Sequence, residues 1–95
     1  MNSNSTSSER KHMALVKSLP CSVCNAPGPS QAHHPDQSDN WTVIALCYDC
    51  HQNPLLGWHG QKSMWKIHKM TELKALGVTV RRLMALKYVE RELNG

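Results

Sequence analysis

Two cysteine pairs, Cys21-x-x-Cys24 and Cys47-x-x-Cys50, stand twenty-two residues apart in a chain with no other cysteine. Each Cys-x-x-Cys turn presents two thiolates at neighbouring corners of a tetrahedron. Two such turns make a closed four-cysteine site for Zn2+, with no coordination position left for catalysis. This spacing predicts a structural metal. Two disulfides are the rival use of four cysteines and would suit a secreted chain. The N-terminal run MNSNSTSSERKHMALVKSL lacks the plan of a signal peptide, and its only apolar stretch is Met13 to Val16. That stretch is also far too short to cross a membrane. A reducing, cytoplasmic compartment is therefore the expectation, and there paired Cys-x-x-Cys units hold metal more often than each other. A redox role would need a βαβ context, which neither pair has.

Histidine is the second chemical signal. Four of the six histidines, His33, His34, His51 and His59, crowd the segment between the cysteine pairs and its immediate sequel. His33 and His34 are adjacent on a segment that reads as extended, so their side chains point to opposite faces. One of them can bind a metal while its neighbour faces a substrate. His51 follows Cys50 directly, on a short helix that the zinc would hold in place.

The elements that must position these residues are few. Ninety-five residues, 40% apolar and without a phenylalanine, fit one domain with a thin core. A chain of this size often needs a staple, and the cysteines supply one. The net charge of +4 is compatible with a polyanionic partner but also with an ordinary solvated surface.

Residues 1–8 read as a disordered tail, and 9–95 as a single domain whose zinc-bearing core spans about 20–60. Ser8 is the expected cap of a helix from Glu9 to about Leu19, with Met13, Val16 and Leu19 on its buried edge and Pro20 ending it. Gln31 to His34 and Trp41 to Leu46 read as two strands of a hairpin joined by the polar loop Asp36–Asn40. Tyr48 to Asn53 reads as a short helix stopped at Pro54, and Leu55 to Gly60 as a bend. A helix from about Lys62 to Leu76 with Gly77 as C-cap follows, then a last helix from Thr79 to about Leu93. The fold class is α+β, a zinc-stabilised ββα core flanked by one helix before it and two after.

The run from Cys21 to His59, with AHH at 32–34 and ALCYDCH at 45–51, resembles the HNH endonucleases of the ββα-metal type. More narrowly, CSVCNAPGPSQAHH, WTVIALCYDCH and GWHG together resemble the phage recombination-enhancement (Ref-like) nucleases, whose cleavage depends on the RecA recombinase. The broad resemblance covers about 40 residues.

It implies His34 as the general base, at the first H of HNH. It implies His33 as a metal ligand where many relatives have Asp, and His51 as the ligand at the last H. Relatives with a further helical ligand often place it four residues later, but here that position is Leu55, and His59 in GWHG is the best replacement. The middle N falls on Thr42 by spacing, whereas the nearest asparagine is Asn40. Either Asn40 orients the base from the loop, or Thr42 has replaced that role.

The chemistry so implied is phosphodiester hydrolysis. His34, free of metal, would take a proton from water near neutral pH. A divalent cation on His33, His51 and His59 would bind the scissile phosphate and neutralise the leaving 3′-oxygen. Histidine-rich ligation suits Zn2+, Ni2+, Co2+ or Mn2+, while Mg2+ acts with fewer protein ligands. Lys62, Lys66, Lys69, Arg81, Arg82 and Lys87 would grip DNA through its phosphates, without sequence choice. The resemblance further implies RecA as a partner and a phage- or prophage-encoded protein in a bacterial cytoplasm. The alternative function is a non-catalytic zinc module that binds nucleic acid or protein, its histidines incidental.

Overall fold

The computed structural model describes residues 5–94, with side chains as far as Val89. The first four residues of the expected tail lie outside the described residues. Helix α1 spans Ser7–Lys17, so it starts two residues before the expected Glu9. Its cap is Thr6, not Ser8, because the residue three beyond Thr6 is Glu9 and the pair closes a reciprocal capping box. The Glu9 backbone N–H donates to Thr6 Oγ1 at 3.1 Å, and the Thr6 N–H donates to Glu9 Oε1 at 2.9 Å.

Strands β1 (Gln31–His33) and β2 (Ile44–Leu46) pair antiparallel, Gln31 with Leu46, Ala32 with Ala45 and His33 with Ile44. Strand β2 begins later than the apolar run suggested. The Asp39 carboxylate accepts from the backbone N–H groups of Trp41 and Thr42 and from the Thr42 hydroxyl, which holds that stretch as a turn. All of Ile44–Leu46 is buried because both faces of β2 are covered. Ile44 and Leu46 join Cys21, Val23, Cys50, Trp65 and Ala75 in one apolar cluster. Val43 and Ala45 meet Val16 and Leu19 of the α1 region in another.

Helix α2 (Tyr48–His51) is one turn, capped by Cys47 Sγ, and is shorter than the expected Tyr48 to Asn53. Asn53 leaves the helix because its Oδ1 accepts from the N–H groups of Leu55 and Leu56, an Asx turn that redirects the chain. Two further helices, α3 (Ser63–Ile67) and α4 (Glu72–Asn94), complete the fold. Among the described residues the architecture is thus a two-stranded sheet with four helices.

The break between the last two helices falls elsewhere than the sequence suggests. Lys69 adopts a left-handed conformation at φ 52°, and Thr71 Oγ1 accepts from the Lys74 N–H, so the chain stops after α3 and restarts at Glu72. Gly77 and Thr79 lie inside α4, so neither is a cap. Thr79 is fully buried. Its hydroxyl donates to the Ala75 carbonyl at 3.1 Å, which leaves the oxygen to accept from Ser22 Oγ at 2.7 Å and from the Ala45 N–H at 3.3 Å. The Ala45 carbonyl accepts from the Ser22 N–H at 2.8 Å. The free side of β2 therefore has its hydrogen bonds closed by α4 and the first cysteine turn.

Thr79→Val keeps the shape but orphans a buried N–H and a buried hydroxyl. The variant should lose about 1–3 kcal/mol of stability, read as a lower denaturant midpoint at unchanged slope.

Candidate metal centres

The first centre is built by the two cysteine turns. Cys21 and Cys24 come from the turn after α1, Cys47 caps α2, and Cys50 lies within it. The four sulfurs all lie within 4.8 Å of one another, and Cys24 Sγ and Cys47 Sγ are 3.7 Å apart. Disulfide sulfurs sit at about 2.05 Å, whereas a tetrahedron with Zn–S of about 2.3 Å has edges of about 3.8 Å. All four cysteines are free thiols. The arrangement contains no disulfide, and the four cysteines could hold a zinc ion.

Backbone N–H groups point at the sulfurs, from Val23 to Cys21 Sγ at 3.5 Å and from Cys50 to Cys47 Sγ at 3.4 Å. The protonation pattern suits a cation as well. A hydrogen bond from Cys50 pulls the Cys21 thiol down to about 4. Burial pushes Cys47 up to about 11, and the hydrogen bond with Cys21 together with burial pushes Cys50 higher still. Four sulfurs this close cannot all be thiolates without a positive ion between them.

The second centre is the histidine cluster. His33 ends β1, His51 ends α2, and His59 lies in the turn beyond. One ligating atom from each comes within 4.8 Å of the other two, and the ring centroids form a near-equilateral triangle of 5.1, 5.2 and 4.9 Å. Two glycines make the approach of His59 possible. A Cβ on Gly57 would stand 2.7 Å from the His51 carbonyl, and one on Gly60 would collide with the Pro54 carbonyl. With hydrogen there instead, the chain lies directly on α2, where Trp58 N–H donates to the Cys50 carbonyl at 2.9 Å and His59 N–H to the His51 carbonyl at 3.1 Å. Trp65 secures the same helix from below, its Nε1–H donating to the Cys50 carbonyl at 2.7 Å and its ring tilted against Trp58 at 4.8 Å.

The partners of the ring nitrogens decide which lone pairs are free. His51 Nδ1 is 2.8 Å from Gln31 Oε1, an acceptor, so Nδ1 carries the hydrogen and Nε2 the lone pair. His33 is almost wholly buried. Its Nε2 lies 2.7 Å from Glu72 Oε2, and its Nδ1 is the one buried side-chain polar atom without a hydrogen-bond partner among the described residues. Burial lowers the pKa of His33, partly opposed by Glu72. Burial, then the neighbouring histidines, takes His51 down to about 4. His51 therefore stays neutral, the ligating form, well below neutral pH, and burial biases His33 in the same direction. An orphaned buried nitrogen on His33, in a cluster of three imidazoles, fits a cation, and three ligands leave a position open for another molecule.

The remaining candidates scatter. His34 sits half-buried beside the cluster, close enough for its charge to lower both His33 and His51. Asn40 is turned to α1, where its amide donates to Glu9 Oε2 at 3.1 Å and Ser5 Oγ at 3.3 Å, and Thr42 is held by Asp39. Lys62 stacks its ammonium 4.7 Å from the centre of the Trp58 ring, close in sequence to His59. Lys66, Lys69 and Arg81 are exposed. The Arg82 guanidinium is engaged by the carbonyls of Pro20 and Cys21 and by Asn25 Oδ1, as a clamp on the first cysteine turn.

Lys87 stands fifteen residues after Glu72 on α4, about 22 Å along the helix at about 1.5 Å per residue. There it borders an apolar groove with Leu15, Trp41 and Leu83. Gln31 and Glu72 went unnoticed in the sequence, because neither lies in a ligand-spaced motif. The position of Gln31, two before His33 on one strand face, was the only signal for either.

No family model matches the chain, and neither a curated protein nor a solved structure matches it. Among the described residues no helix is long and apolar enough to cross a membrane.

Proposed function

We propose that the protein is a metal-dependent DNA endonuclease of the HNH, ββα-metal kind, acting with RecA in phage or prophage DNA recombination in the bacterial cytoplasm. One observation carries the reading. Three imidazoles converge with a buried, unpartnered nitrogen among them, and a fourth histidine, His34, stands beside the set. A zinc module with incidental histidines has no reason to bury His33 with Nδ1 unsatisfied, which costs stability unless something binds there.

A divalent cation on His33, His51 and His59 supplies positive charge for the scissile phosphate and the departing 3′-oxygen. Zn2+, Ni2+, Co2+ and Mn2+ suit an all-imidazole set, and Mg2+ acts with fewer protein ligands. His34 accepts the proton of the attacking water. Lys62, Lys66 and Lys69 are the cations nearest in sequence to His59, and they hold the DNA backbone, with Arg81 further along α4. The half-buried, clamped Arg82 is left to the fold.

The test is cleavage of plasmid and single-stranded DNA across these cations, with and without a RecA filament. The expected result is no cleavage after chelation, restoration by at least one cation, and stimulation by RecA. Equal cutting of naked DNA with and without RecA refutes the RecA partnership. Absence of cleavage with every cation, RecA included, refutes the nuclease.

A further inference from the structure

Glu72 belongs to no part of the ββα core. It opens α4, at a position set by the left-handed Lys69 and the Thr71 cap. An acidic side chain in the first turn is favourable there, because the helix N-terminus is electropositive. Yet its carboxylate is not turned wholly to solvent. Oε2 lies 2.7 Å from His33 Nε2, and the Glu72 side chain is 32% exposed while that of His33 is 2% exposed.

An ionised carboxylate only accepts hydrogen bonds, so Nε2 must be the protonated nitrogen of His33. The lone pair is then confined to Nδ1, the buried atom without a partner. His51 is locked in the opposite sense by Gln31, with its lone pair on Nε2.

We infer that Glu72 is a positioning residue of the histidine metal centre, holding His33 in its Nε2–H tautomer so that Nδ1 is the ligating atom. The inference rests on the metal centre of the proposed nuclease. Outer partners of this kind orient the ring, raise the basicity of the ligating nitrogen and commonly control metal affinity by about 10–100-fold. The arrangement also ties the centre to α4, whose Thr79 and Arg82 bind β2 and the first cysteine turn. One helix thereby contacts both metal centres.

The experiment uses the full chain already carrying one zinc per molecule at the cysteines, titrated calorimetrically with further Zn2+. Glu72→Ala should bind the second zinc about 10–100-fold more weakly. Its first zinc and far-UV spectrum should be unchanged. Glu72→Gln, whose side-chain carbonyl still accepts from Nε2–H, should recover most of the affinity.

Long-range 1H–15N spectra of the wild-type protein supply a measurement that needs no variant. His33 should appear as the Nε2–H tautomer before the second zinc is added and ligate through Nδ1 after it. Unchanged second-zinc affinity in Glu72→Ala, or ligation through His33 Nε2, overturns the assignment. These readouts contain no DNA. A protein that binds the second zinc as described but never cuts DNA refutes the nuclease and leaves Glu72 in place. Cleavage by a wild type whose zinc affinity is indifferent to Glu72 does the reverse.

Discussion

Replacing Cys50 with serine, or stripping the metal from the wild type, is expected to unfold the chain and not merely to loosen it. Zinc bound to a small domain contributes on the order of 10 kcal/mol to folding, and whole domains are stable by only about 5–15 kcal/mol. The larger apolar cluster contains Cys21 and Cys50 as members, so its side chains pack on the ligands themselves. The Cys50 carbonyl receives both the Trp65 indole and the Trp58 N–H, so α2, α3 and the GWHG turn converge on one residue. Loss of the metal therefore removes the staple and the platform for His51 and His59 together.

Cys50→Ser is the sharper variant because Cys50 is fully buried, where a hydroxyl is a poor replacement for the sulfur. The measurement is zinc release under a strong chelator, followed by near-UV circular dichroism of the tryptophans and a thermal scan. A chelated chain that keeps its tryptophan signal and its melting temperature would show that the metal does not hold the fold.

The parts of this molecule that could be read from sequence are those governed by local spacing. Paired cysteines two apart fix a ligand geometry whatever surrounds them, so the clustering of the first centre was legible in full. Crowding of His33, His51 and His59 was legible too, although their convergence depends on Gly57 and Gly60 letting two backbone segments touch. The helical boundary at Gly77–Thr79 was misplaced for a physical reason. A Gly with a Thr close behind it has the grammar of a cap, but in α4 the threonine is used across the fold, on Ser22 and Ala45, and the helix runs through it. That use involves partners 57 and 34 residues away, which no local pattern reports.

Distance hides Glu72 in the same way. Thirty-nine residues separate it from His33, and an acidic residue opening a helix is ordinary. Asn40 is the converse case, since its place as the asparagine nearest the expected middle N suggested a role at the base while Glu9 and Ser5 claim its amide.

His34→Ala separates catalysis from structure. DNA cleavage should fall by about 10²–10⁴-fold, to background in a plasmid assay, which is the usual contribution of a positioned general base. Fold and both metal contents should stay as they are. The reason lies in how the residue is held. His34 is placed by its backbone, through the carbonyl that accepts from Gln37 Nε2 at 3.3 Å and through its neighbour His33 in β1. Its half-exposed imidazole belongs to neither metal centre.

His51→Ala is the contrasting variant, because on the proposed reading it removes a ligand carried by α2 and should lose the second metal together with activity. If His34 were instead a ligand, the two variants would behave alike, and His34→Ala would lower second-zinc affinity in proportion to its loss of cleavage. If the base lies elsewhere, His34→Ala would cut at the wild-type rate. Only activity lost at constant metal affinity assigns the proton transfer to His34, and it requires the adjacent histidines at the end of β1 to divide the work, His33 on the cation and His34 on the water.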